Sequence, residues 1–239
     1  METIEEKNNV LAFKAKISES LANAIRRYTF EIPVVAIEEV EIFKNDSALY
    51  DETIAHRLGL IPLLMPKVVG KDKKFSLKLS TKKEGMVYSK EFEGNIKPVY
   101  GEIPITDLEK GQEIELNAIA KVGKGREHSK FCPGLIIYRN VMDIKLEKDC
   151  PKEIVEICPK NIFEEDGGKI KIKDSVACDF CGMCLDFSKK QKKEFLKLEP
   201  AEELLITIES FGQLPPKDIF TKSLEELKKD LAEISKEIK

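Results

Sequence analysis

Cys178, Cys181 and Cys184 follow one another at two-residue intervals, and Cys158, itself followed by Pro159, lies twenty residues upstream. Thiolates bind soft metals, and a C-x2-C-x2-C loop wraps an iron–sulfur cube closely enough to reach three of its irons. A distant Cys-Pro then supplies the fourth ligand. The spacing predicts one [4Fe-4S] cluster held by Cys158, Cys178, Cys181 and Cys184. The middle ligand, Cys181, favours four irons, and a [3Fe-4S] cluster stands as the alternative. Zinc on four cysteines is the competing chemistry, but zinc usually takes two separated C-x2-C knuckles. A second cluster lacks its ligands: position 188 is Ser, and positions 148, 151 and 154 are Lys, Pro and Ile. Cys132 and Cys150 read as small buried side chains, although Cys150 is near enough in sequence to replace a ligand.

The rest of the chain offers little chemistry of its own. His56 and His128 are not in metal-ligand spacing with each other or with the cysteines. No Asp-x-Asp-x-Asp triad for two-metal nucleotidyl transfer occurs, and no Walker-type glycine loop. Lys+Arg (40) and Asp+Glu (43) nearly cancel to a net charge of -3, which argues against a generic nucleic-acid coat. The run Lys189-Lys190-Gln191-Lys192-Lys193 reads most simply as a solvated face, with a nucleic-acid contact as the lesser reading. With 239 residues, 42% hydrophobic and 35% charged, the chain can bury a sizeable core under a highly charged surface. There is no bilayer-length apolar run and no basic-then-apolar leader, so the chain is expected to be cytoplasmic, and six cysteines there point to metal or redox chemistry before disulfides.

The elements that would position these residues can be read from periodicity. Leu11, Phe13, Ala15 and Ile17 alternate as a half-buried strand. Ser18 or Ser20 can cap a helix through Leu21, Ile25 and Tyr28 that ends before Pro33. Residues 34 to 43 read as a second strand, and a short helix follows through Ile54, Arg57 and Leu58, closed by Gly59 and Pro62. From about Lys67 to Arg139 the pattern is strand and turn: Phe75, Leu77 and Leu79 alternate, as do Ile114, Leu116, Ala118 and Ala120. Residues 204 to 208 form a late strand, stopped by Pro215-Pro216. The last helix carries Phe220, Leu224, Leu227, Leu231, Ile234 and Ile238 at spacings of 4, 3, 4, 3 and 4, an a/d seam. Such a seam docks either on its own domain or on a partner chain.

Three stretches resemble one family. Leu21-Ala-Asn-Ala-Ile-Arg-Arg27, Ile32-Pro33-Val34-Val35-Ala36-Ile37, Asp51-Glu52 and His56-Arg57-Leu58-Gly59-Leu60-Ile61-Pro62-Leu63 together resemble the signature of the alpha-like subunits of multisubunit RNA polymerases. Gly123-Lys-Gly-Arg-Glu-His128-Ser-Lys130-Phe131-Cys132-Pro133 is similar to a segment of the archaeal and eukaryotic members. Ile208-Glu209-Ser210-Phe211-Gly212-Gln213-Leu214-Pro215-Pro216, leading into the seam helix, is similar to the family's closing segment. The cysteines resemble half of a bacterial-type ferredoxin signature, and such an insert marks the D-type alpha-like subunits of archaea.

The resemblance implies a non-catalytic assembly subunit of DNA-directed RNA polymerase. It would pair with a small alpha-like partner, subunit L, as the platform for the large catalytic subunits. The implied fold is α+β: a dimerisation domain from both chain ends (1–44 plus 198–239), an inserted sheet-rich domain (45–143) and a small ferredoxin-like cluster module (144–197). Leu21, Ile25, Arg26, Arg27, Leu224, Leu227, Leu231 and Ile234 are the expected partner interface, against the plainer reading of core side chains and surface charge. No catalytic residue is expected in this chain, and nucleic acid is met only through the complex. The alternative function is a ferredoxin-type electron-transfer or redox-sensing protein.

Overall fold

The computed structural model of the chain describes residues 2–66, 74–147, 149–191 and 193–238. Lys67, where the strand-and-turn region was expected to begin, lies outside them, as do Lys148 and Lys192. In chain order the first elements are β1 (Glu2–Lys7), β2 (Val10–Ala15), α1 (Glu19–Tyr28), β3 (Pro33–Asn45) and α2 (Asp51–Gly59). Then come β4 (Phe75–Thr81), β5 (Gly85–Tyr88), β6 (Glu93–Gly94), β7 (Pro104–Leu108), β8 (Ile114–Lys124) and β9 (Gly134–Leu146). The last are α3 (Ile154–Ile157), β10 (Phe163–Asp166), β11 (Lys169–Ile172), α4 (Met183–Lys190), β12 (Leu196–Ser210) and α5 (Pro216–Glu237). Strands pair as β1-β2-β12-β9, β3-β8-β4-β6, β5-β7 and β10-β11. No helix among the described residues is long and apolar enough to cross a membrane.

The chain divides into two compact units. One comprises residues 1–5, 12–22 and 137–207. Its core gathers Met142, Ile144, Ile154, Ile162, Phe163, Phe195 and Leu196 around three of the cysteines. Phe187 meets Phe195 edge-on, ring centroids 5.6 Å apart. Arg139 ties the cysteine loop down by donating from Nη1 to the Cys178 carbonyl at 2.6 Å and from Nη2 to that of Val176. Ser188 donates to the Lys193 carbonyl at 2.5 Å, closing the end of α4. These short elements surround an apolar core, and a ferredoxin-like cluster module is not what they show.

The other unit comprises residues 6–11, 23–136 and 208–239. Its core is one face of the β3-β8-β4-β6 sheet with α2 packed on it through Ile54 and Leu58. Period-two sequence becomes structure here without alteration: Phe75, Leu77 and Leu79 of β4 and Ile114, Leu116, Ala118 and Ala120 of β8 are all buried. The register sets Leu77 opposite Ala118 and Leu79 opposite Leu116, so large and small side chains fill one layer. The opposite face carries ion pairs, among them Lys121 to Glu38 at 2.7 Å and Lys78 to Glu115 at 3.4 Å. In β3, residues 34–37 are buried while Glu39, Glu41 and Phe43 are exposed. Register shifts after Ile37 and after Ile42 accompany that change.

Candidate functional site

The cysteines are brought together, but not as a metal centre. Cys158, Cys178, Cys181 and Cys184 line one pocket with Ile162, Met183 and Leu198. Cys158, Cys178 and Cys184 are buried, whereas Cys181 is exposed on the turn that leads into α4. The space between them is about 10 Å³, the scale of a single water molecule. Burial pushes the Cys184 thiol up to about 11. Among the described residues no group of three or more His, Cys, Asp or Glu side chains is placed to hold a metal ion.

The three family-like stretches, by contrast, converge within the second unit. Leu60 and Pro62 from the turn after α2, Tyr100, then Ser129, Lys130 and Cys132, and finally Ser210, Phe211 and Gln213 line a cavity of about 420 Å³. Each wall has a local reason for its shape. Pro62 offers its carbonyl to the Val99 amide at 2.8 Å, which sets Tyr100 beside it. Ser129–Phe131 is a single 3-10 turn whose start is fixed by the Lys130 amide donating to His128 Nδ1 at 3.1 Å. Phe131 sits beneath the turn on Gly123, where a Cβ would lie 2.7 Å from the ring. Lys130 is ion-paired to Glu38 of β3. The Phe211 amide donates to the Pro133 carbonyl at 2.9 Å, and Gly212 turns at φ +98. A Cβ there would lie 2.6 Å from Val99 Cγ1 and 2.7 Å from the Tyr100 hydroxyl, so only glycine fits.

The expected partner residues fall into two groups. Ile25 is buried; Arg26 donates to Asn23 Oδ1 from Nε at 3.2 Å and from Nη2 at 2.9 Å; Leu224 and Leu227 are half-buried. Leu21 and Arg27 are exposed. On α5, Pro216, Ile219 and Ser223 are buried, and Ser223 meets Thr29 at 3.3 Å. Further along the same helix Leu231 and Ile234 are 56% and 52% exposed, and Ile238, just past its end, is 80% exposed. Tyr28 donates to Asp230 Oδ2 at 3.0 Å where the two halves of α5 meet. The Lys189, Lys190 and Lys193 side chains are exposed.

Comparison with known proteins gives these positions a family. Residues 40–136 match the RNA polymerase Rpb3/RpoA insert domain. DNA-directed RNA polymerase subunit Rpo3 of Archaeoglobus fulgidus is 31% identical over 99% of this chain and 96% of its own length. The chain belongs to the Rpo3 family of archaeal RNA polymerase subunits. Rpo3 of Methanobrevibacter smithii is 34% identical, over 86% of this chain and 85% of its own length. Rpo3 of Pyrococcus furiosus is 32% identical, over 94% and 91%. The family is thus Rpo3, in place of the D-type label that a cluster-bearing insert would carry. The cofactor expectation is corrected as well: these relatives are named as plain polymerase subunits, and the four cysteines form no metal-holding group. Iron–sulfur ligation by Cys158, Cys178, Cys181 and Cys184 is therefore withdrawn. In its place three of them pack as small side chains in an apolar core.

The spacing of the cysteines hid this outcome, because it carries no information about how deeply each sulfur is buried. The 420 Å³ cavity was not foreseen either. Tyr100 has no motif around it, and Gln213 lies within a family-like stretch that assigns it no role. The signal available was that three distant stretches resembled the same family at once, as residues sharing one site would.

Proposed function

We propose that this Rpo3-family chain is the assembly platform of its polymerase. It pairs through the exposed part of α5 with a small alpha-like subunit (subunit L), and the heterodimer receives the large catalytic subunits, which carry the chemistry. The observation behind this reading is the change of character along α5. Its first half is anchored by Ile219 and Ser223, and its second half leaves Leu231 and Ile234, with Ile238 just past its end, in water at helical spacing. An amphipathic stripe at a/d spacing is stabilised by a second helix carrying the same pattern. Leu224 and Leu227, half-buried, lead into that stripe. Ile25 is buried and would support the interface from beneath, while exposed Leu21 and Arg27 are available to a partner. The assembly is placed in the cytoplasm, and nucleic acid is met only through the complete enzyme.

Coexpression of the full chain with the small alpha-like subunit, followed by native mass spectrometry, tests the proposal. The expected species is a one-to-one heterodimer that binds the large subunits when they are added. A chain that stays monomeric in the presence of the small subunit would overturn it. The ferredoxin-type electron-transfer reading is not favoured, because the cysteines hold no metal-ligand arrangement among the described residues.

A further inference from the structure

We infer that the cavity walled by Leu60, Tyr100, Lys130, Phe211 and Gln213 receives a short, uncharged segment of a large polymerase subunit, which brings one apolar side chain and one hydrogen-bond donor. This rests on the assembly reading above and deepens it by naming a second docking point. Four observations carry it.

The cavity's volume, about 420 Å³, lies within the roughly 300–1,000 Å³ of clefts that take compact ligands. Its rim is apolar and open, with Leu60 53% exposed and the rings of Tyr100 and Phe211 also in water. Its shape is preset: the Ser210 amide donates to the Asn9 carbonyl at 2.7 Å, Asn9 Nδ2 donates to the Tyr100 hydroxyl at 2.7 Å, and the Gly212 amide donates to Ser210 Oγ at 2.9 Å. A wall fixed by such bonds loses little freedom when it is covered.

The remaining observation selects the chemistry. Gln213 is only 7% exposed and forms part of the wall, and its Oε1 is buried with no hydrogen-bond partner among the described residues. Buried acceptors are nearly always paired, so this oxygen lacks a donor. The terminal torsion of a glutamine is soft, and a donor entering the cavity can draw the amide oxygen toward it. Among the described residues the single cation of the lining, Lys130, is already paired to Glu38. Nucleic acid needs free cations for its phosphates, and a carboxylate needs at least one. A neutral backbone amide beside an apolar side chain meets what is left. The small alpha-like partner is assigned to the α5 stripe, which contributes no residue to this lining, so the segment comes from a large subunit.

The test places photoreactive benzoylphenylalanine at position 60 in the full chain, in polymerase reconstituted from purified subunits. Adducts to a large subunit are expected. Adducts only to the small alpha-like subunit or to nucleic acid, or none at all, would overturn the inference. Alongside, Leu60→Asp and Gln213→Leu are measured first for heterodimer formation and then for uptake of the large subunits. Heterodimer formation should be unchanged. Large-subunit affinity should fall about tenfold or more for Leu60→Asp and roughly three- to tenfold for Gln213→Leu. Leu60 is 53% exposed, and a thermal melt of each variant checks that its fold is kept. If both variants take up the large subunits as the unaltered chain does, the cavity is not a docking point. If the unaltered chain forms no heterodimer, the assembly reading fails first and the inference with it.

Discussion

Leu231→Asp puts the assembly reading at risk most directly. Leu231 is 56% exposed on α5. Roughly 100 Å² of its side chain can therefore be covered by a partner, and at about 25 cal/mol/Å² that burial contributes about 2.5 kcal/mol. A carboxylate at the same place forfeits this and must also be desolvated without a counter-ion, which costs about 1–3 kcal/mol more. The first contribution alone weakens the heterodimer about 70-fold. The chain's own fold should hardly notice, since more than half of the side chain is already in water. The helix itself loses only about 0.5–1 kcal/mol from lower propensity and from an acid near its C-terminal end. Lys229→Asp carries that same local cost off the seam and serves as the control. Calorimetric titration of each variant with the small alpha-like subunit, together with a thermal melt of each variant alone, separates the two effects. A Kd changed less than about threefold by Leu231→Asp, with the fold intact, would show that this stripe is not the partner surface.

Gly212→Ala should lower stability by about 1–3 kcal/mol or more, because alanine is strained at φ +98 and its Cβ would meet Val99 and Tyr100; a fall of the thermal midpoint by several degrees checks this. The Glu38 carboxyl is held below the usual carboxylate range by hydrogen bonds from Lys121 and Lys130. Its folded-state pKa is depressed, so its contribution is present above the unfolded value near 4.5 and is lost as pH falls through the lower folded value. Glu38→Gln should therefore flatten the acid side of the stability-versus-pH curve and leave its shape above about pH 6 unchanged. Iodoacetamide at about pH 8 should label Cys181 well before Cys158, Cys178 and Cys184, since Cys181 is exposed and burial pushes the Cys184 thiol up to about 11. Peptide mapping reads this out, and equal protection of all four would refute the arrangement described.

The parts of the fold that could be read in advance are those whose burial follows a simple period. β4 and β8 alternate in sequence and in burial, and α2 ends at Gly59 as its pattern implies. Ser18 caps α1 as expected, accepting from the Leu21 amide at 3.3 Å. β1 could not be read, because all six of its residues are exposed and its extended form comes from pairing along one edge of β2. β12 runs from Leu196, well before the expected start at residue 204, because an acidic, exposed stretch through Pro200 is held by ladder bonds and not by an apolar pattern. The cysteines show the opposite failure. Their spacing is a strong local signal, but burial against Ile162, Phe163 and Phe195 is a tertiary fact that spacing does not encode. The cavity around Gln213 is tertiary in the same sense, since its walls come from residues 60 to 213.

The late turns of α5 also bear on how the chain must be supplied. A copy synthesised alone keeps Leu231, Ile234 and Ile238 in water, an adhesive strip that any apolar surface in a crowded solution can capture. On the pairing proposed above, usable subunit is limited by whichever of the two chains is scarcer, and surplus copies are the ones lost to clumping or digestion. Matched synthesis of both chains would keep that strip covered from the start, so the ratio in which they are made matters as much as the affinity between them.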